Sequence, residues 1–113
     1  MRENVSEKSF RFAQRIVRLY QYLITKNEYV MSKQLLRSGT SIGANIAEGE
    51  QAQSRPDFIS KFGIALKEAE ETNYWLRLLH STGFLTDSEF TSIFNDCREV
   101  QKMLTAIIKT SKK

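Results

Sequence analysis

The side chains able to do chemistry are few. Cys97 is the only cysteine and His80 the only histidine, which excludes a disulfide framework, a Cys/His zinc site and any thiol–imidazole pair but this one. Glu48, Glu68, Glu70 and Glu71 make a carboxylate group that could in principle hold a metal or share a proton. A di-iron carboxylate bundle, however, needs Glu-x-x-His on two helices, and the residue three before His80 is Arg77. Arg37 and Lys67 are at hand as counter-ions, so ion pairing is the simpler reading. No phosphate-cradling glycine loop, HExxH, nucleophile elbow or CxxC occurs, and Ser38 and Ser41 have no base partner. His80 reads as a polar cap beside Gly83. The expectation is no catalytic residue, no metal and no cofactor.

A second kind of chemistry is electrostatic. Residues 1–37 carry eight Lys+Arg against three Asp+Glu, residues 38–71 three against six, and residues 72–113 six against four. The formal +4 of the whole chain is thus segregated as +5, −3 and +2. Lys8, Arg11, Arg15, Arg18 and Lys26 fall within about 80° of one helix circumference, opposite its apolar face. Such a stripe can track phosphates, with counter-ion release making affinity fall with salt, although a basic face is more often merely solvated.

Arg37, Ser41, Asn45 and Glu48 share an arc of the next helix at spacings of four, four and three, with Glu68 and Glu71 as candidate partners further on. A charge there is tolerated inward only if paired. The pattern reads as a polar network fixing helix register, or less simply as an anion or ligand site.

These groups need elements to position them. The chain has 113 residues, 41% of them apolar, with one proline, enough for one domain with a core of its own. Apolar residues recur every three or four positions, and no segment alternates as a strand does. Capping signals place helices at about 6–26, 32–50, 55–82 and 87–110. Asn4 with Glu7, Ser54 with Asp57 and Thr86 with Glu89 are capping-box pairs, while Asn27 and Gly83 suit helix ends. Short connections give an all-α, antiparallel up-down-up-down four-helix bundle over residues 1–113. Cys97 lies on the core stripe of the last helix. Gly39, Gly43 and Ala47 form a ridge with almost no side chain, against which another helix could come close. Helices one and three show more apolar arc than one bundle can bury, which favours self-association. No apolar run is long enough for a membrane span, so no membrane partner and a cytoplasmic location are expected.

The stretch Gln34-Leu35-Leu36-Arg37-Ser38-Gly39-Thr40-Ser41-Ile42-Gly43-Ala44-Asn45-Ile46-Ala47-Glu48-Gly49, followed by Ser54-Arg55-Pro56-Asp57 and by Glu71-Thr72-Asn73-Tyr74-Trp75-Leu76, resembles bacterial four-helix bundle proteins of the 23S rRNA intervening-sequence type. The resemblance covers nearly the whole chain. Gly49, where related chains often carry Ala, and Gly63, where a small hydroxyl is common, depart from it, and Gly63 could loosen the third helix. The resemblance implies a homopentameric ring with a central channel. It also implies kinship with the accessory protein of diversity-generating retroelements, in which a basic barrel binds nucleic acid and a reverse transcriptase. Within the matched motif Arg37, Ser41, Asn45, Glu48 and Glu71 look structural. The resulting expectation is a non-enzymatic homo-oligomer that binds RNA or DNA through the basic face of helix one. The alternative is a scaffold that docks a protein partner without touching nucleic acid.

Overall fold

A computed structural model describes residues 3–113. Its elements are α1 (Val5–Thr25), α2 (Met31–Glu50), α3 (Arg55–Ser81) and α4 (Asp87–Ser111), and there is no strand among the described residues. The ends are set locally. Asn4 accepts the Glu7 N–H at 2.8 Å while the Glu7 carboxylate accepts the Asn4 N–H at 3.1 Å, and Thr86 and Glu89 do the same for α4. Only half of the expected box forms on α3. Ser54 Oγ accepts the Asp57 N–H at 3.1 Å, but the aspartate, one methylene shorter than glutamate, returns no bond. At the far ends Asn27 and Gly83 take φ of 63° and 89°. This brings the Glu28 N–H to Leu23 O at 3.1 Å and the Phe84 N–H to Leu79 O at 2.9 Å, so both helices close in a Schellman turn.

Each helix packs on its neighbours in sequence, and α1 closes the ring onto α4. All four feed one core, with Phe12, Ile16 and Leu23 of α1 meeting Leu35, Ile42 and Ile46 of α2, Ala65, Ala69 and Leu76 of α3, and Val100 and Leu104 of α4. Leu79 of α3 is also fully buried. Cys97 is a packed core residue, its Sγ 3.5 Å from Ala69 O, and burial pushes its thiol up to about 12.

The glycines of α2 answer to geometry. A Cβ on Gly39 would stand 2.8 Å from both Ile16 Cγ1 and Cγ2, and one on Gly43 3.4 Å from Ser9 Oγ. The helix that uses the bare ridge is therefore α1. Gly49 is the same device toward α3: a Cβ there would lie 2.6 Å from the buried Phe62 ring, which is itself stacked on Phe58 with centroids 4.2 Å apart. Gly63 has nothing within 4 Å of a Cβ, and α3 runs through it unbroken. Gly39→Ala and Gly49→Ala should each lower the urea midpoint, because overpacking costs about 1–3 kcal/mol against the roughly 1 kcal/mol of helix propensity gained. Gly63→Ala should raise it, through a gain in stability of about 0.5–1 kcal/mol. A stabilised Gly39→Ala or a destabilised Gly63→Ala would contradict this packing.

Candidate nucleic-acid interface

The basic residues of α1 do not stand opposite its apolar face. Lys8 and Arg15 turn toward α4, across the sparsest of the four helix seams, where long side chains span a gap that methyl groups would leave open. Lys8 Nζ lies 2.8 Å from Glu99 and 3.8 Å from Asp96. Arg15 donates to Asp96 at 2.6 Å and to Ser92 Oγ at 2.9 Å. Arg11 forks onto Glu3 with one arm at 2.6 Å, and this charged hydrogen bond holds the Glu3 carboxyl below the usual carboxylate range. Lys26 stands apart at the end of the helix, its Nζ 4.7 Å above the Tyr22 ring.

Lys8, Arg11, Arg15 and Arg18 nonetheless converge on one small hollow beside Asp96. Next to it, between α1 and α4, opens a groove of about 420 Å³. Arg15 and Arg18 form one wall and Ser88, Glu89 and Ser92 the other, over Leu19, Leu85 and Ile93. The bond from the Thr86 backbone keeps the Glu89 carboxyl below its ordinary range.

On the other side of the molecule Arg37 bridges Glu68, at 3.3 Å, and Glu71. The Trp75 indole donates to Glu71 at 3.0 Å, Ser41 donates to the Arg37 carbonyl, and Asn45 donates to that of Ser41 at 2.9 Å. Glu48 is outside this chain and pairs with Lys61 at 3.4 Å, because eleven residues of helix put it about 16 Å from Arg37. The network is a surface clamp between α2 and α3, with the Arg37 side chain 49% exposed. The Trp75 and Arg37 bonds hold the Glu71 carboxyl below its ordinary range. A depressed folded-state value means that this contribution to stability is present above the unfolded carboxyl's range and lost as pH falls through the lowered one. Trp75 is the only tryptophan, so its emission should change in that acid window and the change should vanish in Glu71→Gln; an identical acid transition in the variant would assign the event elsewhere.

Two buried polar contacts were not anticipated. Thr72 and Ser38 hydroxyls meet 2.9 Å apart in the core between α2 and α3. Glu28, only 6% exposed, accepts the N–H groups of Val30, Met31 and Ser32 at 3.0, 2.6 and 3.1 Å. It thus caps α2, whose N-cap residue Val30 has no side chain for the purpose. The signal was an acid three residues before the helix, complementary to its positive end. Glu28→Ala should cost about 1–2 kcal/mol in a denaturant titration; an unchanged midpoint would refute the cap.

Fold and surface together define an all-α four-helix protein with a charge-rimmed groove between α1 and α4. The chain belongs to the family described as 23S rRNA-intervening sequence protein, which it matches over residues 2–106. It is 60% identical to a solved protein of Bacteroides thetaiotaomicron, described as a protein with unknown function from the S23 ribosomal protein family. That match covers 93% of this chain and 98% of the other, with a TM-score of 0.92. No curated protein matches the chain. Among the described residues no helix is long and apolar enough to cross a membrane.

Proposed function

We propose that this chain is a non-enzymatic, self-associating bundle that binds nucleic acid, RNA or DNA, along the basic side of α1. The observation that carries the reading is the convergence of Lys8, Arg11, Arg15 and Arg18 on one hollow, with Arg15 and Arg18 continuing into the adjoining groove. Three carboxylates, Glu3, Asp96 and Glu99, hold Lys8, Arg11 and Arg15 in place. The pairs of Arg11 and Arg15 are exposed, and such pairs are worth only about 0–1 kcal/mol, so phosphates can replace these two at small cost. The absence of catalysis is supported by the two side chains otherwise suited to it. Cys97 is buried with its thiol suppressed, and His80 is held by Asp87 at 2.7 Å and stacked on Phe90 at 4.2 Å.

The helices run alternately up and down in this reading. Ser6 meeting Glu50, Arg37 meeting Glu71 and Arg55 meeting the carbonyl of Lys113 support it, each joining an early part of one helix to a late part of the next. Self-association is supported by Phe10, Val17, Ile64 and Tyr74, exposed by 66, 39, 40 and 49%. In this reading the copies number five, as the family resemblance implies, in a cytoplasmic ring that would repeat the basic groove around its circumference. Light scattering should give close to five times the 13.1 kDa of one chain; a monomer at micromolar concentration would refute the assembly.

Anisotropy with labelled RNA and DNA over a salt series tests the binding. Affinity should fall steeply with salt and drop at least tenfold when Arg11, Arg15 and Arg18 become Gln, since each lost phosphate contact weakens binding. No binding at low salt, or no effect of the triple change, would overturn it. The second reading is a scaffold that docks a protein, favoured by Tyr29 and Val30, 57% and 76% exposed on the α1–α2 connection. A neighbouring gene for a reverse transcriptase or an rRNA insertion supports the first reading, and one for an unrelated enzyme the second.

A further inference from the structure

The groove between α1 and α4 has two unlike parts, and together they describe a particular ligand. Its α1 wall carries Arg15 and Arg18. Arg15 is aligned by Asp96 and Ser92, while no ion pair or hydrogen bond engages Arg18 among the described residues. Its floor is largely apolar, made by Leu19, Leu85 and Ile93 beside the aromatic Tyr22, and its α4 wall carries the hydroxyls of Ser88 and Ser92 and the Glu89 carboxylate. A bare anion would use only the cations. A purely apolar partner would leave the guanidinium groups unmatched. The volume of about 420 Å³ falls in the range of small-ligand sites, roughly 300–1,000 Å³.

We infer that this groove takes a single unpaired nucleotide of a nucleic-acid strand, its phosphate on Arg15 and Arg18 and its base laid on the floor. The inference rests on the nucleic-acid reading above and names its substrate form. Charge complementarity fixes the orientation. The carboxylate of Glu89 repels phosphate from the α4 wall and accepts hydrogen bonds from an exocyclic amino group, so the base lies toward α4 and the backbone toward α1. A duplex keeps its bases stacked inside and can offer this site phosphate alone. Contact between a base and an apolar or aromatic surface is sequence-tolerant because every base has a flat face, so preference is for unpaired structure more than for a particular base.

The test compares a labelled single strand with a hairpin duplex carrying the same number of phosphates, in RNA and DNA versions, at one salt concentration. Ser88 is exposed in the first turn of α4, so Ser88→Trp fills the groove without removing a cation or a core residue, and a thermal melt verifies its fold. The single strand should bind about tenfold or more tightly than the duplex, the scale of a stacked base, and Ser88→Trp should abolish that excess, bringing the two affinities together. The RNA and DNA arms decide which backbone the groove accepts. Equal binding of strand and duplex, or a Ser88→Trp protein that keeps the preference, overturns the inference and leaves the nucleic-acid reading standing. Absence of binding to either form overturns both.

Discussion

The molecule depends on the contact in which Ile16 occupies the space where a side chain at Gly39 would be. With no Cβ between them, α1 lies close on α2 along the line from Gly39 to Gly43, and Ser9 and Ile16 are buried against it. A helix drawn tightly to one neighbour leaves a wider seam to the other. On α1 that wider seam faces α4, and its residues are the long cations Lys8 and Arg15, whose stems lie along the helix and whose heads reach Asp96 and Glu99. The small residues of α2 and the charges of α1 are two sides of one packing decision. The groove at the α4 N-terminus is what remains where no charge pair fills the gap.

Electrostatics in that seam serve geometry before binding. Lys8 is only 13% exposed along its side chain, so its charge needs Glu99 more than the outer arginines need their partners. Arg11 and Arg15 are 65% and 38% exposed, in the range where a water-screened pair contributes little and exchanges readily. A gradient therefore runs across the helix, from a lysine fixed as structure to arginines available to solvent. Because guanidinium keeps its charge at any relevant pH and presents five donors in a fixed plane, the exposed end is suited to phosphate and the buried end to holding helices together.

Much of this was legible in the residues. Periodicity and caps place the four helices to within a residue or so, since Asn4–Glu7, Thr86–Glu89 and Gly83 act within one turn and owe nothing to tertiary contacts. The bare ridge on α2 also shows in spacing alone. What did not show were facts set by the partner helix. Spacing gives the angular position of Lys8 and Arg15 on α1, but only the offset of α4 brings Asp96 opposite them, which turned an expected free stripe into a part-neutralised seam. Glu48 shares an arc with Arg37 yet lies too far along the axis to meet it, because an arc records angle and not height. Glu28 went unread because a loop carboxylate that folds back over three N–H groups leaves no periodic mark.

The same distinction bears on the surface clamp of α2 and α3. Arg37, Glu68, Glu71 and Trp75 are linked by direct bonds, so removing any one strands the others partly buried, and their energies do not add independently. The clamp also fixes orientation. Trp75 is held by its indole N–H, and Tyr74 stands edge-on to it, with centroids 5.1 Å apart at 76°. Tyr74 is 49% exposed and Ile64, on the same helix, 40%. An aromatic side chain held in one rotamer at the surface loses little further freedom when a partner covers it, which lowers the entropic cost of association. The polar network on this side of the bundle thus holds an aromatic face in a fixed conformation, and the groove between α1 and α4 shares none of its residues.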